Sequence, residues 1–109
     1  MNVEAAIISH LREGGFDAYA DVPNPRPAQF VTVERTGGSS RYGIDRPTVA
    51  VQSWAPTRYE ASELAAAVDA RMESLVDVPD VTRCARNSMY NYPDENQARY
   101  QAVYDLVTY

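Results

Sequence analysis

The chain has 109 residues, 45 % hydrophobic and 23 % charged, with a formal net charge of −5. That length suits one domain, since two cores would each be too small to hold together, and no apolar run reaches the ~20 residues a membrane-spanning helix needs. One cysteine, Cys84, permits no internal disulfide, one cysteine and one histidine cannot build a zinc cage, and the acidic balance argues against a reader of nucleic-acid phosphates. The start Met1-Asn2-Val3-Glu4 has no basic region followed by an apolar stretch, so no secretory signal is expected and the protein is expected to stay in the cell that makes it.

Val3, Ala6, Ile7 and Leu11 fall on one stripe of a helix running to about Arg12, with Asn2 as its cap, Glu4 at its positive end and Gly14-Gly15 as its stop. Ala18 to Val22 predicts a brief strand, after which Pro23, Pro25 and Pro27 force an extended segment that cannot be a central strand. Gln29 to Thr36 alternates and is rich in Val and Thr, which predicts a strand, and Gly37-Gly38-Ser39-Ser40 predicts a flexible loop after it. Pro47 to Trp54 predicts the partner strand of a hairpin, with a connection of about ten residues against the usual two to five.

Thr57-Arg58-Tyr59-Glu60 fits a capping box and predicts a helix to about Val76, with Ala61, Leu64, Ala65, Val68, Met72 and Leu75 on its core face. Asp77-Val78-Pro79-Asp80 ends it, Val81 to Met89 predicts a third strand, and Asn91 to Asn96 predicts a turn-rich loop before a last strand from Ala98 to Tyr109. The simplest packing is a single compact α+β domain, a mostly antiparallel sheet against two α-helices with a long β-hairpin loop.

His10 and Cys84 are the only members of their kinds, and neither sits in a pattern that predicts nucleophilic catalysis. Asp77 with Asp80, and Asp94 with Glu95, lack the spacing of a calcium loop, and the Gly37-Gly38 stretch lacks the ending and the helix of a phosphate loop. No catalytic residue, cofactor or metal is therefore predicted. The residue types around the hairpin connection, Arg35, Gly37, Gly38, Arg41, Tyr42, Asp45 and Arg46, are instead those favoured at protein contacts. Five of the eight tyrosines lie at or beyond Tyr90, and in the last strand Tyr100, Ala102, Tyr104 and Leu106 share one face while Val103, Val107 and Tyr109 share the other. Two helices cover one face, so Tyr100 and Tyr104 are read as candidate contacts on a sheet that needs a partner.

The order of features resembles that of the tail terminator proteins of long-tailed bacteriophages. The likeness is carried by a Pro-rich lead into Phe30-Val31-Thr32-Val33, the Gly37-Gly38 turn, Asp45-Arg46-Pro47-Thr48-Val49-Ala50-Val51, Trp54-Ala55, Glu63-Leu64-Ala65, Asn91-Tyr92-Pro93-Asp94 and Ala98-Arg99-Tyr100. The resemblance spans nearly the whole chain. It implies a non-enzymatic virion protein of the tail neck, assembled in the host cytoplasm, forming a ring of usually six copies on the head-proximal end of the tail tube. Its implied partners are itself, the tail tube protein and the head-tail connector or stopper protein, with DNA passing through the lumen without specific binding. The alternatives are another neck component, such as a head-tail joining or stopper protein, and a small α+β host enzyme or regulator.

Overall fold

The computed structural model describes residues 1–109, and its elements follow from the local chemistry. The first helix, α1, runs Val3–Glu13, and the Asn2 side chain accepts a hydrogen bond from the Ala5 amide at its start. Its stripe buries Val3, Ile7 and Leu11. It stops where Gly15 takes φ +92° and the Phe16 amide reaches back to the Leu11 carbonyl at 3.0 Å, the closure that left-handed glycine permits after a last turn.

A two-residue strand, β1 (Ala18–Tyr19), lies parallel beside β2 (Phe30–Arg41), which turns into β3 (Ile44–Ala55). The second helix, α2 (Arg58–Met72), continues as a 3₁₀ segment, Glu73–Asp77, and is followed by the antiparallel hairpin of β4 (Val81–Asn91) and β5 (Ala98–Thr108). The sheet order is β1-β2-β3-β5-β4, so all neighbours except β1 and β2 are antiparallel. The α+β architecture expected from the sequence is the one observed, and no helix is long and apolar enough to cross a membrane.

Both helices pack on one face. Val31, Val33, Val49, Val51, Ala102, Tyr104 and Leu106 fall on one face of the paired strands and meet Val3, Ile7, Leu11, Val68, Met72 and Leu75. The Thr57 hydroxyl caps α2 by accepting from the Glu60 amide at 3.2 Å. Leu64, expected in the core, is only half-buried, because the face of α2 that meets the sheet is centred on Ala61, Ala65, Val68 and Met72, and small alanines let the helix sit close there.

The expected loop between the first two long strands is not a loop. Strands β2 and β3 stay paired out to Arg41 and Ile44, leaving only Tyr42 and Gly43 as the turn. Both take positive φ, 54° and 77°, the requirement of the two-residue turn that matches strand twist. A tyrosine in the first of these positions hides the turn from the sequence. One bulge, at Thr36, absorbs the extra residue. Gly38 takes φ +108°, and a Cβ there would run into the Arg46 carbonyl oxygen and come within 2.7 Å of Pro47 Cα. The molecule is drawn out to 43 × 24 × 23 Å.

Leu75→Ala should cost ~2–5 kcal/mol, the range of a fully buried leucine truncation, and Leu64→Ala should cost clearly less. Denaturant midpoints at constant slope check this, and equal losses would mean that the core face of α2 and its 3₁₀ extension is misassigned.

Candidate functional site

Four features of the surface are candidates for function, and the first is the arm made by the outer halves of β2 and β3. Arg35 donates two hydrogen bonds to Asp45, at 2.6 and 2.8 Å, and a third from Nε to the Gly37 carbonyl at 3.0 Å. A planar guanidinium gripping a carboxylate on the facing strand fixes the pair where the bulge would otherwise loosen it. Beyond this clasp Gly37 to Gly43 are all exposed, and Arg41 lies 4.9 Å from the ring centre of Tyr42, which is 87 % exposed at the tip. The structure thus brings together Arg35, Gly37, Gly38, Arg41, Tyr42 and Asp45 on one hairpin. Arg46 stands apart from the clasp, lining a shallow depression with Arg83 and Asp105 on the helix-free face.

The second feature is that helix-free face, which the sequence suggests is apolar and in want of a partner. It is neither bare nor mainly apolar. At one end Phe30 stacks on Trp54 with ring centres 5.2 Å apart, Tyr19 meets Phe30 edge-on at 6.5 Å, and Arg99 lies between Trp54 and Tyr92 at 4.7 and 4.5 Å from their centres. Arg26, from the proline-rich segment, covers Trp54 from 5.3 Å, so Trp54 is 3 % exposed on a face that no helix touches. Hydrogen bonds run beside this row, Trp54 Nε1 to Thr32 at 3.0 Å, Thr32 to Gln52 at 2.9 Å, Gln52 to Gln101 at 2.7 Å and Gln101 to Tyr90 at 2.5 Å. Cross-strand pairs of this kind hold a sheet face without burying it under another layer. The aromatic row escaped the sequence reading. Its signal is that Phe30 and Trp54 fall out of phase with the core valines Val31, Val33, Val49 and Val51.

The third feature corrects the reading of Tyr104. Its ring is in the core at 2 % exposure, and its hydroxyl donates to Asp69 Oδ1 at 2.7 Å, so it is not available as a subunit contact. Asp69 accepts a second bond, from Arg86 at 3.1 Å. Burial, reinforced by the Asp69 bond, pushes the Tyr104 hydroxyl well above its usual range, and burial pushes the neighbouring Cys84 thiol up to about 11. A thiol protonated at neutral pH beside a committed carboxylate is a poor nucleophile. Tyr100 lies on the same sheet face, half-buried opposite Ser53 and Asn91.

The fourth is the join between the helices. His10 is buried, and its Nε2–H donates to the Arg71 carbonyl at 3.1 Å and Ser74 Oγ at 2.8 Å, while Arg71 Nε donates back to the His10 carbonyl at 3.0 Å. The carbonyl can only accept, and the Ser74 hydroxyl lies 2.8 Å from that same carbonyl, so the Nε2–H tautomer is the one that satisfies both contacts at once. Gly14 admits this clasp, since a Cβ would stand 2.6 Å from Arg71 Nε. His10 and Cys84 line different depressions, and no three His, Cys, Asp or Glu side chains converge.

The sequence matches no protein-family model and no curated protein.

The clasp on the arm has a pH signature. The Arg35 bonds hold the Asp45 carboxyl below the usual aspartate range, so its contribution is present above the unfolded-state value of about 3.9 and is lost as pH falls through the lower folded value. Amide exchange at Ser39 and Arg41, whose amides face β3 in the hairpin ladder, should therefore stay slow down to that range and quicken only below it. An Asp45→Asn chain should show fast exchange at every pH. Quickening at or above the ordinary aspartate value would show that the clasp does not hold in solution.

Proposed function

We propose that this domain is a structural protein of the phage tail neck, a tail terminator that assembles as a ring on the head-proximal end of the tail tube, stops tube growth and offers a surface to the head connector. In this reading the protein works by binding, with no catalytic residue, metal or cofactor, and its place is the virion. The observation that carries the reading is the arm. The hairpin is clamped by a bidentate ion pair, exposed from Gly37 to Gly43 and tipped with an open tyrosine, so it projects backbone and side chains that its own domain does not cover. Rigid projections of this kind pre-order a contact with another chain and lower the entropy lost on binding.

The charge distribution supports the same role. Residues 1–14 and 57–80, which hold both helices, carry eight carboxylates against three arginines, while the rest of the chain has seven of each. The whole net charge of −5 thus lies on the helical layer, and the strands can meet other copies without like-charge repulsion. An acidic layer also suits a conduit that DNA passes without sticking. The arm and its neighbour Arg46 are the surface for copies and tube.

The experiment is genetic. Phage carrying Arg35→Ala with Tyr42→Ala, substitutions that leave every core residue in place, should make tails of uncontrolled length that fail to join heads, while the purified variant unfolds at a midpoint close to that of the parent. Normal-length tails joined to full heads would refute the role of the arm. Tails of normal length left without heads would reassign the protein to head-tail joining or stopper duty.

A further inference from the structure

We propose that copies of this chain join edge to edge, β4 of one copy pairing antiparallel with the Gly37–Arg41 stretch of β2 in the next, so that one sheet runs on through the assembly. The inference rests on the ring reading above and names the contact that would build it.

The sheet has two open edges. Strand β4 pairs with β5 alone along its eleven residues. On the far side, β1 covers β2 at Val31 and Thr32, and the Glu4 carboxylate accepts from the Arg35 amide at 2.8 Å, so that edge is satisfied up to the bulge and bare beyond it. Unpaired edges invite another strand, and a protein that leaves them open either guards them or uses them. The bare stretch of β2 is Gly37-Gly38-Ser39-Ser40-Arg41, whose first four side chains are too small to shield the backbone. On β4 the bulges at Thr82 and Asn87 leave Arg83–Arg86 as an unbroken stretch of nearly the same length.

The two stretches also lie at the same level. Gly37 is opposite Thr48, Thr48 opposite Asp105 and Asp105 opposite Ala85, so Gly37 and Ala85 occupy one row across the sheet. Joining them needs a rotation about an axis along the strands and no rise, which closes a ring where a rise would give a filament. Strand β2 runs opposite to β3, β3 to β5 and β5 to β4, so the same rotation sets β2 beside β4 of the next copy as an antiparallel pair, the more stable kind.

Continuing the rows places Ser39 of one copy opposite Arg83 of the next. The full chain carrying Ser39→Cys, Arg83→Cys and Cys84→Ser, oxidised after assembly alone or on tail-tube protein, should give a ladder of disulfide-linked multimers on a non-reducing gel. Neither single cysteine should give it, nor should Ser39→Cys paired with Ser62→Cys on α2. In the unsubstituted chain, assembly should slow amide exchange at least tenfold in Gly38–Arg41 and Arg83–Arg86 together. Rings imaged without the ladder and without that protection would overturn the edge contact and leave the ring reading standing. A chain that stays monomeric alone and on tubes would overturn both.

Discussion

Strand β3 is the element on which the rest of the structure depends. Its pairing with β2 on one side and β5 on the other spans nearly its full length, and its two faces serve two different tasks. Val49 and Val51 anchor the helical core, while Trp54 and Gln52, pointing the other way, anchor the aromatic row and the hydrogen-bond chain. A strand buried on both faces with only one layer of helices above it needs a second cover. The proline-rich segment and the Arg99 and Arg26 guanidiniums supply it, because a planar cation over an indole desolvates the ring while remaining wet at its edge. This cover is confined to the Trp54 end of the face, and the two outer edges of the sheet and the arm are left without a partner strand.

The same economy appears in the charges. All ten basic residues are arginines, and five of them, Arg26, Arg35, Arg71, Arg86 and Arg99, bond to partners far along the sequence or on a facing strand. Arginine can do this with several donors at once where lysine presents a single point charge. Arg71 closes the helix pair through His10, Arg86 seals Asp69 and Tyr104, and Arg35 holds the arm. The chemistry of the molecule is thereby spent on geometry: the one histidine is a clasp, the one cysteine shares a depression with Tyr104, and the Asp69 carboxylate beside it is already twice engaged.

Periodicity made the helices and the core valines legible in the sequence, and the caps Asn2 and Thr57 and the Gly14-Gly15 stop lie where local rules put them. Three things were hidden, each for a physical reason. The hairpin turn was disguised because Tyr42 takes a backbone conformation that tyrosine rarely adopts, and the run of glycine and serine before it reads as loop although it is strand. Tyr104 and Val103 alternate as expected, but alternation states that two faces differ without saying which is covered, so the buried tyrosine passed for a contact. Arg26 and Arg99 could not be placed over Trp54 without the register of β3 against β5 and the path of the proline segment. Of the candidate contact residues, Arg35 and Asp45 came together as a pair that spacing alone did not specify.

Native mass spectrometry of the unsubstituted chain, alone and with tail-tube ends, tests the central claim most directly. The account requires a single closed species at a whole-number multiple of the 12.1 kDa subunit, six by the resemblance, with no ladder of larger assemblies above it. A chain that remains monomeric in both settings, or that grows into an open-ended series, would contradict it.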